Sequence, residues 1–295
     1  MEKKESNTPP FCFDALPHFN ALSYFSYKNV SFSLPEGCIT GFIGINGAGK
    51  TTTIKTILGL VQRRSGTVKV FGKELDKHER ELKNRIGVVL DGGSFYDDLT
   101  MAEMKSVIAP AYSKWNDKTF KEYMESFSLN SRQKIATLSK GMRMKYALAL
   151  ALSHEADLLI MDEPTSGLDP LIRSQLLAII KDYMKQEGKG VFFSTHITSD
   201  LDKVADMLIL IDQGKIIFEQ EKDTLLEGHH VVKGDINALN SKNRSLFLNL
   251  QATNYSFTGI TKHLPDVQQM MSDIVIERPT IENIMLAYIE RGLKG

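Results

Sequence analysis

With 295 residues and a hydrophobic content of 42%, the chain can bury a substantial core in one large domain or two smaller ones. Lys plus Arg and Asp plus Glu number 36 each, and a formal net charge of zero argues against a chain built to grip a nucleic-acid backbone. Cys12 and Cys38 form no close pair and read as reduced thiols, and no apolar run approaches the roughly 18–20 residues that cross a bilayer.

Residues 1–10, "MEKKESNTPP", read as a disordered tail without the apolar stretch of a signal peptide, so the expectation is a soluble, cytoplasmic chain. The segments "VSFSL" and "CITGFIGI" are strand-like and flank a Pro-Glu-Gly turn. A glycine-rich loop follows, then the helical pattern "KTTTIKTILGL" and the strand "GTVKVFG". Residues from about Leu99 to about His154 are mostly helical by pattern. "DLLIMD", "GVFFST" and "MLILID" are continuous apolar runs of the kind found in a parallel sheet buried on both faces. Strands alternating with helices predict an α/β sheet covered on both sides. After about Asp223 the texture changes to a polar stretch, the short strands "SLFLNL" and "DIVIE", and a final helix. In that helix Ile281, Ile284, Met285 and Tyr288 fall on one face. Residues 224–295 therefore read as a small α+β accessory domain.

The stretch "GINGAGKT", Gly44 to Thr51, fits the spacing of a phosphate-binding loop between a strand and a helix. Backbone N–H groups of Asn46, Gly47, Ala48, Gly49, Lys50, Thr51 and Thr52 would curl around phosphate oxygens. Lys50 would reach the β- and γ-phosphates, and Thr51 would hold Mg²⁺. The apolar strand in "LLIMDEP" ends in two acids: Asp162 is a candidate metal ligand, and Glu163 a candidate general base for an attacking water. His196, after the next strand, is a candidate partner of the γ-phosphate or the water. His229 and His230 lack a third ligand and read as a surface loop. In "LSKGMRMKYALALAL" the helix-friendly pattern begins near Met144, and Ser139 stands where an N-cap would, with Lys140 and Gly141 between.

Together these residues resemble the ATP-binding-cassette (ABC) family of ATPases, from about Asn29 to Glu221. "LSKGM" stands where that family has Leu-Ser-Gly-Gly-Gln, and "SGLD" (Ser166 to Asp169) resembles its D-loop. The resemblance implies a P-loop NTPase (RecA-like) core over residues 11–223, with a helical signature subdomain at about 92–155. It also implies ATP and Mg²⁺ as cofactors, and a sandwich in which Ser139, Gly141 and Asp169 of one cassette approach the ATP held by a second. The flexible Gly141 would allow that close approach. Three departures stand out. Lys140 replaces the first signature glycine and Met142 the glutamine. Asp91 stands where the family has its Q-loop glutamine, and as an oxygen donor could contact the metal. The aromatic that stacks on adenine has two upstream candidates, Phe19 and Tyr24, for each of which a plain core position is the alternative. The expected function is the ATPase subunit of a bacterial transporter that exports a drug or peptide, with an integral membrane permease as partner, docked around 91–111. The competing reading is a soluble cassette ATPase acting on ribosomes or DNA.

Overall fold

The computed structural model describes the backbone of residues 11–16, and residues 30–293 except positions 64 and 94. The expected tail and both adenine candidates, Phe19 and Tyr24, lie outside the described residues. The first half runs β1 (Phe11–Leu16), β2 (Val30–Leu34), β3 (Ile39–Ile43), α1 (Lys50–Ile57), β4 (Thr67–Val70), β5 (Lys73–Glu74), α2 (Glu79–Lys83) and β6 (Ile86–Val89). The helical lobe follows as α3 (Met101–Ile108), α4 (Asp117–Ser126) and α5 (Lys140–Leu152). The chain then returns to the sheet through β7 (Leu158–Asp162), α6 (Pro170–Tyr183), β8 (Gly190–Thr195), α7 (Thr198–Val204), β9 (Met207–Asp212) and β10 (Lys215–Glu221).

Six strands form the central sheet in the order β10-β9-β3-β8-β7-β6. All of its pairings are parallel except β9 with β10. Side chains alternate across a strand, and each strand feeds two cores. Leu159 and Met161 of β7, Phe193 of β8 and Leu208 and Leu210 of β9 enter the core shared with α5, α6 and α7. Their neighbours Leu158, Ile160, Phe192, Ile209 and Ile211 enter a second core with α1, β2 and β4. There Phe42 and Phe192 lie 5.1 Å apart between ring centroids, with Phe32 stacked on both. Burial on both faces is the physical reason these strands are uninterrupted apolar runs. A smaller antiparallel sheet, β2-β1-β4-β5, flanks the second core.

The helical lobe closes on Tyr146 of α5. It is fully buried, donates its hydroxyl to the Met101 carbonyl at 2.7 Å, and meets Phe95 and Phe120. Just past α5, His154 is 1% exposed and stacks on Tyr112 at 3.8 Å between centroids. Burial pushes its imidazole down to about 4 from the usual 6.5. The unfolded chain therefore takes up a proton below pH 6.5 that the folded chain refuses until about pH 4, and stability falls as pH drops through that window. We expect a loss of about 2 kcal/mol between pH 7.5 and pH 5 from this residue. Urea unfolding of His154→Phe should show a pH dependence shallower by that amount; parallel curves for the two proteins would contradict it.

The C-terminal part comprises α8 (Lys222–Glu227), β11 (His230–Asp235), α9 (Ser241–Arg244), β12 (Phe247–Ala252), β13 (Ser256–Thr261), α10 (Leu264–Met270), β14 (Val275–Glu277) and α11 (Ile281–Leu293). Its antiparallel sheet, β12-β13-β11-β14, has a small core of Val232, Phe257, Val267 and Met271. Helix α11 serves both parts. Ile281, Ile284, Met285 and Ile289 join the main core, whereas Ala287 packs with Val231 and Ile260 of the sheet. Contrary to the sequence reading, His229 is not on a surface loop. It is 2% exposed, with Nδ1 2.7 Å from the Leu225 carbonyl and Nε2 3.2 Å from the Tyr288 hydroxyl. Burial lowers its pKa.

Candidate active site

Strands β3, β8 and β7 are neighbours, and β6 lies beyond β7. Because they are parallel, the loops that follow them leave the same edge of the sheet, where ligands of open α/β folds bind. This register brings Gly44–Lys50, Asp162–Glu163, His196 and Asp91 to one edge although they are far apart in the chain.

The loop after β3 is shaped by its glycines. A Cβ on Gly44 would stand 2.5 Å from the Ile211 carbonyl, so no side chain fits there. Gly49 caps α1 at φ 117°, a conformation that L side chains rarely adopt. No side chain caps α1. Helices α3 to α6, by contrast, take their caps from the side chains of Thr100, Asn116, Ser139 and Asp169. The first-turn N–H groups of α1, Lys50 to Thr52, are thus left for an anion. Asn46, Gly47 and Thr51 are exposed around them, and Ala48 is buried as part of the loop's floor.

Lys50 is 5% exposed and lies inside the loop. Its ammonium donates to the carbonyls of Gly44 at 2.8 Å and Ile45 at 3.3 Å, and pairs with Glu163 Oε1 at 3.2 Å. The other oxygen of Glu163 lies 2.7 Å from His196 Nδ1. One carboxylate thus bridges a phosphate-loop lysine and a histidine from two different strand ends. Glu163 itself has φ 49°, and its N–H donates to the Ser194 carbonyl at 3.0 Å. That left-handed turn costs a non-glycine residue about 1–2 kcal/mol. It turns the chain sharply after Asp162, the last residue of β7. Asp162 is 2% exposed and accepts from the Ser194 hydroxyl at 2.5 Å.

Among the described residues no three His, Cys, Asp or Glu side chains form a metal cage. The chain instead offers two hard oxygens, the exposed Thr51 hydroxyl and the Asp162 carboxylate. Such a pair suits Mg²⁺ completed by substrate phosphates and water.

The signature segment differs from its sequence reading in two ways. Helix α5 begins at Lys140, so Ser139 is its immediate N-cap and accepts from the Met142 N–H at 3.2 Å; nothing separates cap from helix. Gly141 is buried, and a Cβ there would lie 2.6 Å from Ile172 Cδ1, so its missing side chain serves the packing of α5 on α6. Asp169 caps α6, accepting from Leu171 and Ile172 at 3.0 Å each. Asp91, expected at the metal, is paired with Lys140 at 3.0 Å. That pairing joins two of the departures from the family pattern. Its only trace in the sequence is that the two substitutions carry opposite charge.

A family model described as ABC transporter matches residues 27–166. The lantibiotic transport ATP-binding protein SrtF of Streptococcus pyogenes is 34% identical over 198 residues, 66% of this chain and 84% of that protein. The chain belongs to the ABC transporter ATP-binding family. Other members are similar over most of the cassette. The linearmycin resistance ATP-binding protein LnrL of Bacillus subtilis (strain 168) is 34% identical over 72% of this chain and 71% of its own length. The bacitracin transport ATP-binding protein BcrA of Bacillus licheniformis is 34% identical over 68% of this chain; the match spans 66% of BcrA, just under two thirds. A solved structure of an ABC transporter's ATP-binding subunit superposes with a TM-score of 0.66 at 26% identity, covering 74% of this chain and 92% of that one. No helix among the described residues is long and apolar enough to cross a membrane.

Proposed function

We propose that this cassette binds and hydrolyses ATP as the subunit that drives a bacterial ABC exporter of drugs, peptides or similar compounds. The observation that carries the proposal is the Glu163 carboxylate, held between Lys50 and His196 at the mouth of the glycine-rich loop. The names of the relatives, for bacitracin, linearmycin and lantibiotics, favour cargo of that kind.

The chain's own groups account for the chemistry. Triphosphate oxygens take the place of Glu163 and the two carbonyls on Lys50, and the α1 N–H groups supply further donors. Thr51 and Asp162 would hold Mg²⁺, which neutralises charge on the β- and γ-phosphates. Glu163, released from Lys50, accepts a proton from the water that attacks the γ-phosphorus. His196 orients that carboxylate. If a neutral ring donates Nδ1–H to Glu163, its Nε2 is an acceptor; donation to phosphate from Nε2 then needs a protonated ring.

The ATP-bound form is a sandwich of two cassettes, in which Ser139 and the first turn of α5 meet nucleotide on the second. Ser139→Arg should leave ATP affinity of the single chain within about two-fold while abolishing ATP-dependent dimerisation and turnover. Loss of ATP binding by the monomer would contradict the sandwich. The permease would dock beside Asp91 in a cleft lined by Val88, Leu90, Phe95, Ile108, Tyr112 and Leu150, on the cytoplasmic face of the membrane. Mg²⁺-dependent ATP turnover by the full chain, and recovery of an integral membrane protein bound to it in native membranes, test the proposal. A chain that turns over ATP but leaves membranes without a partner would support the soluble reading instead.

A further inference from the structure

Two ion pairs join the start of α5 to the segment that follows β6. Helix α5 carries Lys140 and Arg143 in its first turn. Lys140 pairs with Asp91 at 3.0 Å and Arg143 with Asp97 at 2.6 Å. Both acids belong to the segment that leaves β6. Asp91 stands at the tip of a tight turn: the Gly93 N–H donates to the Leu90 carbonyl at 3.0 Å, and Gly92 takes φ 72°. A type II turn of this kind needs a glycine at that place. The backbone of the same segment is also fastened to the approach to α5, with Ala136 N–H on the Asp97 carbonyl and Ile135 N–H on that of Leu99.

Lys140 touches a third segment. Its ammonium and stem lie over Gly167, where a Cβ would stand 3.4 Å from Nζ and 3.5 Å from Cδ. Gly167 belongs to a compact turn rooted at Glu163, in which Ser166 N–H donates to the Glu163 carbonyl at 3.1 Å and Leu168 N–H to that of Thr165 at 3.2 Å. One lysine thus meets the loop after β6, the first turn of α5, and the turn that begins at the candidate general base.

We propose that Asp91 and Lys140 are a positioning pair for ATP hydrolysis. Their ion pair holds the start of α5 and the Glu163–Asp169 turn in register with the loop after β6. Neither residue touches the nucleotide held by its own chain. Asp91 answers an ammonium in this structure, and takes that role in place of a metal ligand's. Both side chains are about half exposed, at 52% for Asp91 and 40% for Lys140. Such a pair is worth only a few-fold in an equilibrium. It suits a contact that is made and released during turnover better than one that holds the fold together.

The inference rests on the ATPase reading, which turnover by the wild-type chain tests separately. The experiment is a double-mutant cycle on the full-length chain. Asp91→Ala and Lys140→Ala should each lower kcat roughly three- to five-fold, with the ATP affinity of the single chain and the melting temperature unchanged. The double variant should be no worse than either single one. The exchanged pair, Asp91→Lys with Lys140→Asp, should recover at least half of the lost rate. Singles without effect, or defects that multiply in the double variant, would overturn the pair. So would a raised Mg²⁺ requirement in Asp91→Ala that Lys140→Ala does not share, because Asp91 would then be a metal ligand.

Discussion

Glu163→Gln should hydrolyse ATP about 10²–10⁴ times more slowly than the wild type while binding it at least as well. The amide fills the same space but cannot accept the proton of an attacking water. Its second effect comes from the resting structure. Glu163 Oε1 is one of three oxygens on the Lys50 ammonium, at 3.2 Å, and an arriving triphosphate must displace it. The neutral amide competes less for Lys50, so ATP affinity should stay level or rise by a few-fold. With binding intact and turnover blocked, the variant should collect as an ATP-bound dimer. Single-turnover hydrolysis, equilibrium binding and gel filtration read the three effects separately. Near-wild-type turnover would remove Glu163 from the role of base.

Lys50→Ala should weaken ATP binding by roughly 10²-fold, equivalent to about 3 kcal/mol, because a phosphate group in a poorly solvated loop loses its charged partner. The substitution also leaves Glu163 with His196 as its remaining side-chain partner and empties a buried position beside the Gly44 and Ile45 carbonyls. Equilibrium binding should be read beside circular dichroism, so that loss of the site is distinguished from loss of the fold. Unchanged affinity in a folded variant would overturn the assignment of the phosphate site.

Much of this arrangement can be read before any coordinates. The strands around Phe42, Ile160, Phe193 and Ile209 announce themselves because burial on both faces leaves no polar interruption. The glycine spacing from Gly44 to Gly49 reflects a backbone that must turn where side chains do not fit. Strand β10 leaves a fainter trace: its alternation of exposed and half-buried residues, "KIIFEQE", belongs to a sheet edge and is weaker than an apolar run. The burial of His229 is not legible locally, because one of its partners, Tyr288, lies 59 positions away in the chain. At Gly141 the sequence suggests flexibility, whereas the structure uses the small size of the residue against Ile172. The pairings Lys50–Glu163 and Asp91–Lys140 were out of reach for one reason. The first depends on the order of β3, β8 and β7 and the second on how α5 lies against β6, and nothing local in these segments encodes either.

Helix α11 gives the C-terminal part a particular status. The sheet from β11 to β14 is threaded between α8 and a helix whose Ile281, Ile284, Met285 and Ile289 complete the core under the central sheet. In chain order the small sheet therefore lies between two helices, α8 and α11, that both pack into the main core. A graft that exchanges this region between relatives cannot be cut once at the end of β10. It needs two junctions, one before β11 and one before Ile281, or it must import a helix shaped to the recipient's own hydrophobic floor. The sheet between those junctions keeps a small core of its own, whereas the helix that follows it packs into the core of the ATP-binding unit.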